Sequence, residues 1–217
     1  MCFSAQASFL TSGLLLAIGC ISVSKTKKNK HLLFATIPFI FALQQMIEGF
    51  NWVSLENFRP NLFGITIVYP IFFSYAYLFF AYLLWPVYIP LSLAMIEKKK
   101  KVTSKMYVFL FQGALSTGYL CFYIFNHNMI GHIVNCSISY GFAPMTKIDM
   151  AFTPFYFIAT IAPFFFSTVE YMWTIGVAAI VSAIVAAIFY SYAFTSVWCF
   201  FAAILSIMVV WLIEKIK

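Results

Sequence analysis

The sequence predicts an all-α, polytopic membrane helix bundle of about seven transmembrane helices, with the N-terminus outside and the C-terminus cytoplasmic. Hydrophobic residues make up 64% of the chain and charged residues only 9%, and the mean hydropathy is +0.95. Soluble domains carry about a quarter charged residues. The 217 residues are filled by spans of about 20 residues with short loops. We therefore predict a single transmembrane domain, residues 1–217.

Apolar stretches separated by charged or proline-containing segments define the individual spans. The first span has no Lys or Arg before it and is followed by lysines, the reverse of a secretory signal, so we predict a retained helix. The third stretch is too long for one straight helix, and its prolines predict a bend near Pro86. The straight part is predicted to end at about Trp85, which with Tyr88 would belong to an aromatic belt at the inner surface. The predicted spans are residues 5–23, 31–53, 62–96, 106–126, 151–166, 173–190 and 197–213.

The distribution of basic residues predicts the orientation of these spans. With the N-terminus outside, only Arg59 and Lys147 of the 13 basic residues fall on the outer side. An excess of Lys and Arg marks the cytoplasmic loops of membrane proteins. The net charge of +7 therefore reports the orientation of the chain in the membrane and does not indicate nucleic-acid binding. We predict the lipid bilayer as the partner and a bacterial cytoplasmic membrane as the location. The inner basic residues are Lys25, Lys27, Lys28, Lys30, Lys98, Lys99, Lys100, Lys101, Lys105, Lys215 and Lys217.

The second span carries polar residues near its outer end: Gln44, Gln45 and Glu48. On a helix, Gln44 and Glu48 are four residues apart, and Gln45, Glu48 and Trp52 also share a face. An ionised carboxylate that faces lipid costs about 2.5 to 3.5 kcal/mol at the bilayer centre. We therefore expect Glu48 to face protein or water, in a polar cavity open to the outside. The alternative is a solvated carboxylate at the headgroup boundary.

Two motifs resemble those of a known family. The chain opens with Met-Cys-Phe-Ser-Ala, and the second span contains the Gln-x-x-Glu-Gly-x-x-Trp element from Gln45 to Trp52. The sequence thereby resembles a family of uncharacterised bacterial integral membrane proteins. That resemblance implies a fold but no activity, and it points to Cys2 and Glu48. Later positions that also resemble the family are Tyr77, Trp85, Pro86, Pro90, Glu97, Tyr156, Pro163 and Ser167.

A ligand site and, less directly, a metal site follow from these residues. For a small ligand, proton or cation we predict contacts from Gln44, Gln45, Glu48, Trp52 and Tyr77. The longest polar connection, residues 127–149, also lies outside in this topology and holds two histidines. Thiolate, imidazole and carboxylate groups bind zinc and other transition metals, although no CxxC or HExxH spacing is present. The metal candidates are Cys2, Glu48, His127 and His132.

The role of Cys2 stays open at this point. Removal of Met1 would leave Cys2 as an N-terminal cysteine with both a thiol and an amine. Besides binding a metal, Cys2 could form a disulfide with Cys136 if the outside is oxidising, or pack as a small apolar residue.

Three classes of function remain from the sequence. The first is binding or permeation of a small ligand, proton or cation at Glu48. The second is a membrane-embedded enzyme, with or without a metal, acting on a lipid or small molecule, with Glu48, Cys2 and His127 as catalytic candidates. The third is a membrane scaffold without chemistry. The cofactor is left undetermined, and a homo-oligomer is compatible with all three.

Overall fold

The chain folds into a bundle of helices with one short β-hairpin at one end. The computed structural model describes residues 4–56, 70–127, 129–140 and 147–216. Single turns of 3-10 helix, Asn29–His31 and Ser191–Ala193, precede α2 and α9, and a π-helical segment, Phe79–Leu84, joins α4 to α5. The α-helices are α1 (Ala5–Ser24), α2 (Leu32–Ala35), α3 (Ile37–Glu56), α4 (Pro70–Leu78), α5 (Trp85–Ile96), α6 (Lys100–Asn126), α7 (Lys147–Phe166), α8 (Met172–Phe189), α9 (Phe194–Leu205) and α10 (Ile207–Lys215).

Six helical segments of the described chain are long and apolar enough to cross a membrane. The six segments are Ala5–Ser24, Asn29–Glu56, Pro70–Ile96, Lys100–Asn126, Met172–Phe189 and Ser191–Lys215. The apolar part of α7, Phe152–Phe166, is shorter. The predicted helix-bundle class is therefore confirmed, and six of the predicted spans correspond to these segments. The first residues of the predicted third span, 62–69, lie outside the described residues.

Two polar contacts join distant parts of the chain at the lysine-rich end of the bundle. Lys25, just after α1, forms an ion pair with Glu214 in the last turn of α10. Glu97, just after α5, accepts hydrogen bonds from the Ser167 hydroxyl and from the amide and hydroxyl of Thr168, the latter two at 2.9 and 2.6 Å. The end of α1 and the end of α10 therefore lie on the same side of the bundle.

Prolines explain the irregular third span. Pro86 has no amide hydrogen to complete a regular helix, and a π-helical segment precedes it. Neighbouring helices bond the carbonyl groups of this segment: Tyr156 of α7 donates to Ala81 O at 2.6 Å, and Thr117 of α6 donates to Leu83 O at 3.0 Å. A broken helix is tolerated inside a membrane when side chains of neighbouring helices bond the backbone groups that the break leaves free.

The hairpin was not predicted from the sequence. Strands β1 (Gly131–Val134) and β2 (Ser137–Tyr140) are antiparallel, with Val134 paired to Ser137 across a two-residue turn. Both turn residues have positive φ, 44° at Asn135 and 58° at Cys136, as a type I′ turn requires. The hairpin packs on the bundle because the Gly131 amide donates to Ser74 Oγ in α4 at 3.0 Å.

Candidate functional site

One face of α3 is both polar and buried. Gln44, Gln45 and Asn51 have no exposed surface, Glu48 is 2% exposed and Trp52 is 3% exposed. Their spacing of three and four residues places them on the same side of the helix. Glu48 therefore faces protein, as expected, and is not solvated at a headgroup boundary.

The Glu48 carboxylate joins α3 to α9. Ser196, in the first turn of α9, donates to Glu48 Oε1 at 2.5 Å, and Gln45 Nε2 donates to Oε2 at 3.1 Å. The sole ion pair among the described residues is Lys25 with Glu214, so no basic side chain there neutralises Glu48. The carboxylate is closed in by protein rather than facing an open cavity.

Gln44 connects the same cluster to α5. Trp85 Nε1 donates to Gln44 Oε1 at 2.8 Å, and the Trp85 ring stacks on Phe41 with centroids 4.0 Å apart. Trp85 is 4% exposed. A tryptophan at the end of a predicted span would suit an interfacial belt, but this one anchors the core because its N–H has a buried partner.

Asn51 connects the cluster to the hairpin. Its Nδ2 donates to the Tyr140 hydroxyl at 2.9 Å, and its Oδ1 accepts from Ser74 Oγ at 3.3 Å. The ring of Tyr140 stacks on Tyr77, with centroids 4.8 Å apart and an interplanar angle of 7°. Tyr77 in turn donates to the Thr195 carbonyl at 3.4 Å. The hairpin thus covers the end of the bundle that holds the Glu48 cluster.

The environment of Tyr140 keeps its hydroxyl neutral. Burial raises the pKa of Tyr140 well above its ordinary value, and the nearby Glu48 carboxylate raises it further. A neutral hydroxyl accepts from Asn51 while keeping its own hydrogen to donate.

Several buried polar atoms around Glu48 have no hydrogen-bond partner among the described residues. They include Gln45 Oε1, Gln44 Nε2 and Trp52 Nε1. Gln45 Oε1 belongs to the same amide group that donates to Glu48, so an unused acceptor lies next to the carboxylate. Buried polar groups are nearly always satisfied, and each exception calls for an explanation.

The predicted metal candidates are not brought together in the described part of the chain. His127 stacks on Tyr123 at 4.2 Å, and its Nδ1 lies 2.9 Å from the Tyr123 carbonyl. His132 is exposed on β1. No group of three or more His, Cys, Asp or Glu residues that could hold a metal occurs among the described residues. Cys2 lies outside the described residues, so the alternative of a disulfide between Cys2 and Cys136 does too.

Two cavities adjoin α9. Glu48 is not among the described residues that line them. We call the first, about 80 Å³, the apolar cavity; it lies between α2, α3, α5, α7, α8, α9 and α10. We call the second, about 100 Å³, the aromatic cavity; it lies between the π-helical segment, α6, α7 and α9. The residues shared by both cavities are Tyr156, Trp198 and Cys199.

Sequence reasoning found the α3 residues but missed their partners. Asn51 lies three residues from Glu48, so helical spacing alone could have included it. Ser196 is 148 residues away from Glu48, and Tyr140 lies in the unpredicted hairpin. No local pattern links either residue to the acidic one.

The fold and the cluster together define a helical bundle of membrane-length apolar segments with a buried carboxylate that has no basic partner among the described residues. A family model described as a family of unknown function (DUF6629) matches residues 1–217, so the chain belongs to this family. No curated protein and no solved structure shows significant similarity to the chain.

Proposed function

We propose that this chain is a membrane protein that binds a proton or a small cation at Glu48, in a binding or permeation role. The observation that carries the proposal is the buried Glu48 carboxylate, which has hydroxyl and amide donors but no basic partner among the described residues. A buried, unpaired charge is costly in a low-dielectric environment. A bound proton or cation would neutralise it.

The oxygen atoms near Glu48 support a cation in particular. Gln45 Oε1 is an unpartnered acceptor beside the carboxylate, and Ser196 Oγ retains lone pairs while it donates. Carboxylate, amide and hydroxyl oxygens are the ligands that small, hard cations prefer. In this proposal Gln44, Trp52 and Tyr77, which are all buried, belong to the same site, as predicted from the sequence.

The ion dependence of stability tests this proposal through Glu48→Gln, which keeps the shape of the side chain and removes its charge. A ligand that binds only the folded state stabilises it by about 2.7 kcal/mol at one hundred times its dissociation constant. For purified protein in nanodiscs, we expect the melting temperature of the wild type to rise with proton or Na⁺ concentration, and this dependence to disappear in Glu48→Gln.

Glu56→Gln is the matched control, because Glu56 lies at the exposed end of the same helix. It should keep the wild-type dependence. Identical ion dependence in the wild type and Glu48→Gln would refute the proposal.

We also propose seven spans, with the N-terminus outside and the C-terminus inside a bacterial cytoplasmic membrane. The ion pair between Lys25 and Glu214 supports an odd number of crossings, because α1 starts at the end opposite to both residues. Adding α7 to the six longer segments gives seven. A green fluorescent protein fused after Lys217 should fluoresce and an alkaline phosphatase fused there should be inactive; the reverse pattern would exclude this orientation.

A further inference from the structure

The aromatic cavity is walled mainly by rings. Eight of its thirteen lining residues are aromatic, and none of them is charged. Tyr119 and Phe152 stack at 4.0 Å with an interplanar angle of 10°, which forms one wall. Tyr156 and Phe157 pack around Trp198, with centroids 6.1 and 5.2 Å from the Trp198 ring. An occupant therefore meets ring faces and edges on several sides.

Two of the tyrosine hydroxyls in this wall are bonded within the protein. Tyr156 donates to the Ala81 carbonyl at 2.6 Å, and the Tyr82 hydroxyl is hydrogen-bonded to that of Thr195. These tyrosines present their rings to the cavity while their hydroxyls hold the π-helical segment and α9. The negative face of an aromatic ring attracts cations, and several rings together recognise ammonium groups.

A charged residue, Glu48, lies behind the wall that α9 forms. Thr195 lines the cavity, and the next residue, Ser196, donates to the Glu48 carboxylate. Cys199, one helical turn further along α9, also lines the cavity. The carboxylate thus favours positive charge in the cavity and disfavours negative charge.

We propose that the aromatic cavity binds a small organic ammonium ion whose charge is balanced by Glu48. This inference rests on the proposed function because it uses the same carboxylate as the balancing charge, but the ammonium ion lies in the aromatic cavity rather than on the oxygens of Glu48. An engineered cavity of about 150 Å³ holds benzene, so the aromatic cavity, at about 100 Å³, suits a group of only a few heavy atoms. Methylammonium and the methylated head of a larger amine are of this size.

Binding of tetramethylammonium to the full chain in nanodiscs, measured by isothermal titration calorimetry, tests the inference. Tert-butanol has a similar shape without the charge, and NaCl at equal concentration controls for ionic strength. We expect tetramethylammonium to bind at least about tenfold more tightly than tert-butanol, a difference of the size that ring–cation attraction supplies. Equal affinity for tetramethylammonium and tert-butanol would show an apolar cavity that an acyl chain fills in the membrane, and it would overturn the inference. No binding of tetramethylammonium would overturn it as well.

Tyr119→Leu removes one ring face and keeps apolar bulk. It should weaken tetramethylammonium binding by about tenfold. Tyr107→Leu, on the exposed side of the same helix, where Tyr107 is 54% exposed, should bind as the wild type does. Phe152→Leu gives a second test of the same wall if Tyr119→Leu does not fold. Unchanged affinity in the folded wall variant would contradict the inference.

Glu48→Gln separates this inference from the proposed function. If the wild type shows Glu48-dependent stabilisation by protons or Na⁺ but does not bind tetramethylammonium, the inference fails and the proposed function stands. If neither the wild type nor Glu48→Gln shows ion-dependent stability, the proposed function fails. If tetramethylammonium also binds equally well to both proteins, Glu48 does not balance its charge, and that part of the inference fails too.

Discussion

Gly113→Ala is expected to lower the free energy of unfolding by about 3 kcal/mol, at the upper end of what overpacking costs. A Cβ atom on Gly113 would lie 1.9 Å from the carbonyl oxygen of Pro86. Pro90, four residues after Pro86, has no amide hydrogen to bond that carbonyl, and α6 approaches α5 closely at this point. Because the obstructing atom belongs to the backbone, the clash is relieved only by separating the two helices.

Gly118→Ala is the matched control for this prediction. Gly118 lies on the same helix, and a Cβ atom there would have no neighbour within 4 Å. Its stability should equal that of the wild type or exceed it slightly, since alanine favours helix over glycine. Denaturant titration of both variants in detergent measures the difference; equal stability of Gly113→Ala and Gly118→Ala would contradict the close approach of α6 to α5.

Asn51→Leu is expected to cost about 2 to 3 kcal/mol and to release the hairpin, because it leaves a buried hydroxyl without its partner. Asn51 donates to Tyr140 in β2 and accepts from Ser74, which in turn accepts from the Gly131 amide in β1. Hydrogen exchange followed by mass spectrometry should show faster exchange over residues 131–140. In the wild type, amide exchange over residues 131–140 should stay slow.

Asn126→Leu serves as the control for the loss of an asparagine. Asn126 is exposed, and among the described residues its side chain bonds only to the Phe122 carbonyl of its own helix, at 2.7 Å. The Asn126→Leu substitution should leave both the free energy of unfolding and the amide exchange of the hairpin unchanged. Slow hairpin exchange in Asn51→Leu would show that Asn51 does not hold the hairpin on the bundle.

The sequence predicted the helices and the polar face of α3 because both depend on local composition and period. Long apolar stretches imply membrane-length helices, and the spacing of Gln44, Gln45, Glu48 and Trp52 implies one helix face. The π-helical segment depends on packing against neighbouring helices, which no window of sequence contains.

The hydrogen-bond partners of the polar α3 face could not be predicted because they depend on tertiary contacts. Ser196 reaches Glu48 from the start of α9, which Tyr77 and Tyr82 bond through Thr195. The hairpin turn Asn135–Cys136 lacks the Asn-Gly pair that usually announces a type I′ turn. Trp85 looked interfacial by its position at a predicted helix end, but the buried amide of Gln44 gives its N–H a partner inside the core.

The most direct measurement of the central claim is infrared difference spectroscopy of the protein in nanodiscs, with pH or Na⁺ concentration as the perturbation. If Glu48 binds a proton or cation, the wild type will show a carboxyl or carboxylate band that changes with the ion, and Glu48→Gln will lack that band. Glu56→Gln will retain it. A wild-type spectrum identical to that of Glu48→Gln at every pH and Na⁺ concentration would contradict ion binding at Glu48.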